Sequence, residues 1–125
     1  MWYKDAKWQS RLVAECEIMR GRFPRFRLQQ VASGALQWAG ALEPIAGVAF
    51  VVAVRYPDRY PYHPPRFFVH DPPLDERSPH RYGDGSVCIH KRHWDPMRGT
   101  AASCIPLISA WLVAYLHWLQ TGEEF

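Results

Sequence analysis

One stretch of the chain gathers side chains that could do chemistry: Ser78-Pro79-His80-Arg81-Tyr82-Gly83-Asp84-Gly85-Ser86-Val87-Cys88-Ile89-His90-Lys91-Arg92-His93-Trp94-Asp95-Pro96. Cys88 has His80, His90, Lys91, Arg92 and His93 nearby in sequence. Cationic neighbours favour the thiolate, which is the nucleophilic form of cysteine. Gly83 and Gly85 permit backbone angles closed to other residues and let a second chain approach closely. Two other readings of these residues stay open. Cys88 could be a buried, inert thiol, or Cys88, His90, His93 and His80 could hold zinc. Against zinc, the cluster has a single Cys, and Cys-x-His-x-x-His is not a common structural-zinc spacing, so no metal or other cofactor is expected.

The remaining cysteines carry less chemistry. Cys16 falls on the apolar stripe of an expected helix and Cys104 at the start of another, so both are read as packing. Three cysteines without a CxxC pair give no disulfide framework, and a reducing, cytoplasmic setting is expected. His117 interrupts an apolar face and is read as a core or rim residue, and His63 and His70 show no partner pattern.

The elements that must position the cluster follow from periodicity. Residues 5–20 read as an amphipathic helix with Trp8, Leu12, Cys16 and Met19 at helical spacing and Gly21 as its stop. Alternation around Phe26 and Leu28, around Leu36, Trp38 and Leu42, and around Val48, Phe50, Val52 and Val54 gives three strands. Ser33-Gly34 and Pro44 to Gly47 supply the turns, and connections this short favour an antiparallel meander. Residues Arg66 to His70 form a fourth strand, entered through Pro64-Pro65. Residues 71–99 lack periodicity, and a loop this long in a compact domain is expected to be functional. A buried helix over 104–119 closes the chain, with Ser103 or Thr100 as its N-cap and Pro106 in its first turn.

Bulk composition excludes several classes. A chain of 125 residues, 48% hydrophobic and 22% charged, suits one domain over 1–125 and not a disordered protein. A net charge of +3 does not argue for a direct nucleic-acid partner. Residues 1–27, however, hold seven basic side chains (Lys4, Lys7, Arg11, Arg20, Arg22, Arg25, Arg27) against Asp5, Glu15 and Glu17. That surface is either a solvated face or a dock for an acidic partner. Trp2-Tyr3-Lys4-Asp5 opens polar and amphipathic, so no leader is expected. The apolar run 104–119 falls short of the ~18 residues of a membrane span, so no membrane partner is expected.

Beyond these physical readings, the sequence resembles the ubiquitin-conjugating (UBC) family. Tyr56-Pro57-Asp58-Arg59-Tyr60-Pro61-Tyr62-His63-Pro64-Pro65 is similar to that family's YP/PP box. Ser78-Pro79-His80, Gly85, Cys88 and Trp94-Asp95-Pro96 follow its active-site order. His80 stands where the family has the Asn of His-Pro-Asn, Gly85 on its Gly and Cys88 on its nucleophile, without a gap. The departures are Ser78-Pro79-His80 for His-Pro-Asn, His90 where an acidic residue is frequent, a longer loop through Pro72-Pro73-Leu74-Asp75-Glu76-Arg77, and an early end at Phe125. This set resembles the stand-alone bacterial members of antiphage operons, of the CBASS or Bil type.

The resemblance implies an α+β, UBC-like fold: N-terminal helix, four-stranded antiparallel meander, long active-site loop and buried C-terminal helix. It implies a Cys88 thioester with the C-terminus of a ubiquitin-like protein or a cGAS-like nucleotidyltransferase, loaded by an activating-type enzyme and passed to an amine. His80 would support the oxyanion or the loop, and His90 would tune the thiol or shuttle a proton. Gly85 and Ser86 would admit the donor tail, while Lys4, Lys7 and Arg11 would meet the activating enzyme. Trp94 would pack beneath the loop, and the YP/PP residues would be structural. The alternative is a catalytically inactive UBC-like module that recruits the same partners.

Overall fold

The computed structural model of the chain describes residues 1–87, 89 and 94–125. Two short 3-10 turns, Trp2–Lys4 and Ala6–Trp8, lead into helix α1, Gln9–Arg22. Strands β1 (Arg27–Gln30), β2 (Leu36–Ile45), β3 (Val48–Arg55) and β4 (Arg66–Asp71) form one antiparallel sheet in the order β1-β2-β3-β4. Helix α2, Ala101–Thr121, follows the long connection. This is the expected α+β meander, with the sheet covered by the second helix.

Register explains the core. Leu28, Trp38, Val54 and Phe67 stand opposite one another across the four strands. Trp38, Val54 and Phe67 are buried, as are Phe50 and Val52. β-branched and aromatic side chains suit such a half-buried pleated surface. Against it α2 places Ile105, Ile108, Trp111, Leu112 and Tyr115. Phe50 meets Tyr115 edge-on at 6.4 Å, and Phe67 meets Trp111 at 6.4 Å. Phe26 lies flat on Gly40, where a Cβ would come within 2.8 Å of its ring.

Several boundaries differ from the expected ones. The N-terminal segment is not one helix from residue 5: Asp5 accepts the Lys7 N–H and starts a 3-10 turn instead. Helix α1 runs past Gly21, and its buried residues are Glu15 and Met19, while Leu12 and Cys16 are half-buried. Trp2 is a core residue packed on Tyr56 and Tyr60 at 5.0 and 4.9 Å. Pro44 sits inside β2, at the register shift between Leu42 and Ile45, where a bulge tolerates its missing N–H.

Helix α2 begins at Ala101, capped by Thr100 and Ser103 in a reciprocal capping box. Pro106 therefore falls in the second turn, not the first, and forfeits a helical hydrogen bond. Gly122, at φ 74°, ends the helix by donating to the Trp118 carbonyl at 2.8 Å. With 21 residues α2 is long and apolar enough to cross a membrane by length and composition, yet eight of its residues are buried in this fold.

Candidate active site

Cys88, His90, Lys91, Arg92 and His93 lie outside the described residues. The chain on both sides of Cys88 is described, and its local chemistry explains how the segment is gripped.

Upstream, residues 81–87 form a small hairpin. The Gly85 N–H donates to the Tyr82 carbonyl at 3.0 Å, a turn closed by Gly85 at φ 87°. Asp84 Oδ1 accepts both the Ser86 N–H (2.9 Å) and the Ser86 hydroxyl (2.5 Å). These bonds, with the nearby Arg66 charge, hold the Asp84 carboxyl below its usual pKa. The Tyr82 N–H returns to the Ser86 carbonyl at 2.8 Å. Val87 is buried and donates to the Phe67 carbonyl at 2.8 Å, so the hairpin pairs with the free edge of β4. The residue preceding Cys88 is thereby fixed to the sheet.

Val87 and Ile89, the neighbours of Cys88 on either side, also line a groove of about 240 Å³. Pro57, Pro64 and Pro65 from the β3–β4 connection complete its apolar walls, with His63, Arg66 and Tyr82 exposed around it. The Arg66 guanidinium lies over the Tyr82 ring at 4.7 Å.

Downstream, Trp94 is the first described residue of the segment 94–99. Its indole N–H donates to the Pro61 carbonyl at 2.6 Å, and its ring rests near Tyr60. Gly99 leaves room for that ring, since a Cβ there would come within 2.4 Å of it. Trp94 is thus packed on Tyr60 and Gly99, while the loop expected above it includes residues outside the described ones. The YP/PP box is structural as expected: Tyr56, Tyr60, Pro61 and Pro65 are buried, and Tyr60–Pro61 is a cis peptide.

Beneath this segment lies a polar network that sequence reasoning missed. Glu15 is buried, and its carboxylate accepts the Tyr56 hydroxyl (2.7 Å), the Tyr60 hydroxyl (2.6 Å), the Ala101 N–H (2.9 Å) and Arg11 Nε (3.1 Å). Arg11 then donates to the Pro96 carbonyl at 2.7 Å and, through Nη2, to the Gly99 carbonyl at 2.6 Å and Tyr60 at 3.0 Å. Charge-assisted bonds of this kind are what a buried carboxylate requires. One sequence signal was available: Arg11, Glu15 and Met19 follow one another at four-residue spacing, so the face holding buried Met19 also carries an ion pair.

The structure treats the other expected site residues unequally. His80 has φ 60°, the one described non-glycine in the left-handed region. Its Nε2 is hydrogen-bonded to the main-chain oxygen of Phe125. The imidazole also meets the Phe125 ring at 5.1 Å. Gly85 is at the turn, but the Ser86 hydroxyl is buried and spent on Asp84. Lys4 and Lys7 are exposed, Lys7 over the Trp8 ring at 5.3 Å. Arg11 departs from the exposed basic face expected of it, because its guanidinium is committed to Glu15 and the 94–99 segment. His90 lies outside the described residues, as do all the zinc candidates except His80. His117 is exposed, 3.1 Å from Glu123, a rim position.

Burial raises the thiols of both described cysteines. Burial, together with the charge of Glu15, pushes the Cys104 thiol up to about 12. Partial burial raises the Cys16 thiol, reinforced by Glu15 and opposed by Arg20.

The protein-family model described as E2-CBASS, Type II CBASS E2 protein, matches residues 15–123. The matched span runs from Glu15 through the sheet, the Cys88 segment and α2. No curated protein matches the chain.

Proposed function

Since the chain belongs to the Type II CBASS E2 family, which serves antiphage defence in bacteria, we propose that Cys88 is the nucleophile of a conjugating-type acyl transfer. The observation that supports this is the placement of the two described cysteines, together with the fixed chain on either side of Cys88. Cys104 is sealed in the core, and partial burial raises the Cys16 thiol on α1. Cys88 is left as the candidate, in a segment gripped on both sides.

In the first step the Cys88 thiolate attacks the activated C-terminal carbonyl of the donor. A C–S bond forms and the activating group leaves. In the second, an amine attacks the same carbonyl, the C–S bond breaks and the thiolate is regenerated, the amine proton passing to solvent or a nearby base. The donor is the C-terminus of a ubiquitin-like protein or of a cGAS-like nucleotidyltransferase, delivered by an activating-type enzyme in the cytoplasm. The groove beside Val87 and Ile89 is open to an extended tail. Gly85 closes the turn of the hairpin beside it. Ser86 contributes backbone only, its hydroxyl being engaged. His80 supports the loop at a backbone position that suits His and Asn better than most residues. His90 remains a candidate to adjust the thiol.

The test is adduct formation with the activated donor. Wild type should give an adduct cleaved by thiol reductants, Cys88→Ser at most a reductant-resistant ester, and Cys88→Ala none. Conjugation that proceeds in full when Cys88→Ala replaces wild type, with no adduct on either, would return the protein to the alternative, an inactive module that recruits the same partners.

A further inference from the structure

We propose that Arg11 is a positioning residue for Cys88, acting from helix α1 through the 94–99 segment rather than by touching a partner. The inference rests on the reading of Cys88 as nucleophile.

The Cys88 segment has two anchors. Upstream, Val87 is bonded to β4. Downstream, the Trp94 indole and the Arg11 fork hold residues 94–99. Arg11 is suited to this because its planar guanidinium reaches three directions at once: Nε to Glu15, Nη1 to the Pro96 carbonyl, Nη2 to the Gly99 carbonyl and Tyr60. Glu15 in turn is fixed by Tyr56, Tyr60 and the first N–H of α2. The downstream anchor is thus built on the joint between α1, the YP/PP box and α2. A lysine could keep the charge next to Glu15, but its three donors on one nitrogen could not serve all four partners.

Docking and positioning predict different kinetics. A residue that docks a partner alters KM and does so more at low salt. A residue that orients a nucleophile alters kcat, because a misplacement of about 1 Å can cost on the order of 10–100-fold.

The experiment compares wild type, Arg11→Gln, Arg11→Lys and the core variant Val52→Ala, whose side chain is buried in strand β3. Val52→Ala serves as the control for lost stability, each variant being assayed well below its own Tm. Two readouts are taken: charging kinetics with the activated donor, and the pH profile of Cys88 alkylation by iodoacetamide, read on the Cys88 peptide by mass spectrometry. Arg11→Gln is expected to lower kcat on the order of 10–100-fold, with KM unchanged and no salt dependence. Its alkylation midpoint should move towards that of the urea-unfolded chain. Arg11→Lys should behave like Arg11→Gln, and if Arg11→Gln does not fold, Arg11→Lys carries the test. Val52→Ala should keep the wild-type kcat and midpoint. A raised KM that grows at low salt, full activity in Arg11→Lys, or equal losses in Val52→Ala would overturn the proposal. Alkylation needs no donor, so it reports on positioning even if Cys88 never forms a thioester. Failure of the nucleophile reading appears separately, as conjugation retained by Cys88→Ala.

Discussion

The Tyr60 hydroxyl donates to Glu15 at 2.6 Å while accepting from Arg11 at 3.0 Å, which ties the β3–β4 connection to α1 at a buried point. The same carboxylate accepts the N–H of Ala101, the first residue of α2. Three elements distant in sequence therefore share one anion. Removing that charge leaves its donors facing a group that cannot serve them all.

Glu15→Gln is therefore expected to cost about 3–5 kcal/mol, the usual penalty for breaking a buried pair on one side. The amide keeps one accepting oxygen but turns an NH2 towards donors, and Arg11 loses its counter-charge. Urea unfolding should show a lower midpoint with an unchanged slope. A loss below about 1 kcal/mol would mean the site relaxes enough to admit water.

The same network sets a direction for pH dependence. Burial first, then Glu15, raises the Tyr56 and Tyr60 phenols well above their usual range, and the Cys104 thiol to about 12. All three are neutral when protonated, so the folded state holds these protons to higher pH than the unfolded chain does. Their contribution is complete below the unfolded-state values of about 8.5 for the thiol and about 10 for the phenols, and is lost as pH rises above them. Thermal midpoints should fall between pH 9 and pH 11 in wild type. Tyr56→Phe should flatten that fall while lowering stability at pH 7, since Trp38 and Glu15 each lose a partner there.

Much of the fold was legible because strand alternation and the 104–119 apolar run report burial directly. A cap at Ser103 or Thr100 and the Ser33-Gly34 turn were legible for similarly local reasons, while the structural role of the YP/PP box came with the family resemblance. The Glu15 network was not. A carboxylate on a helix reads as solvated until the two tyrosines that satisfy it are brought in from the β3–β4 connection. Arg11 misled in the same way: as a sequence it belongs with Lys4 and Lys7, and only the carbonyls of Pro96 and Gly99 turn it inward. Trp2 was hidden by its charged neighbours. Ser86 looked available because nothing local announces that Asp84 would claim its hydroxyl.

With Arg11 withdrawn, Lys4 and Lys7 are the exposed ones of the three basic residues expected to meet the activating enzyme. Reversing both to Glu should slow charging by an acidic-surfaced activating partner, with most of the effect at low salt. Here KM should rise while kcat holds, the reverse of the Arg11 variants, and Cys88 alkylation should be untouched. The measurement is charging rate against donor-enzyme concentration at two ionic strengths. Unchanged KM at both would leave the face as solvated charge.

His80 offers the finest distinction. Its φ of 60° lies where Asn and His are enriched and β-branched residues are strained. His80→Val should therefore lose about 1–2 kcal/mol of stability, while His80→Asn should fold and transfer like the parent. His80→Ala should still form the thioester but pass it on more slowly. His80→Gly separates the two roles left open by the resemblance. Glycine accepts the backbone angle but offers no side-chain donor. If His80 acts on the oxyanion, His80→Gly charges normally and transfers as slowly as His80→Ala. If it acts through the loop, His80→Gly transfers near the parent rate. Because the His80 ring is turned onto Phe125, the second outcome is the expected one. Single-turnover discharge of the preformed thioester to a lysine acceptor reads it directly, since charging is complete before the clock starts.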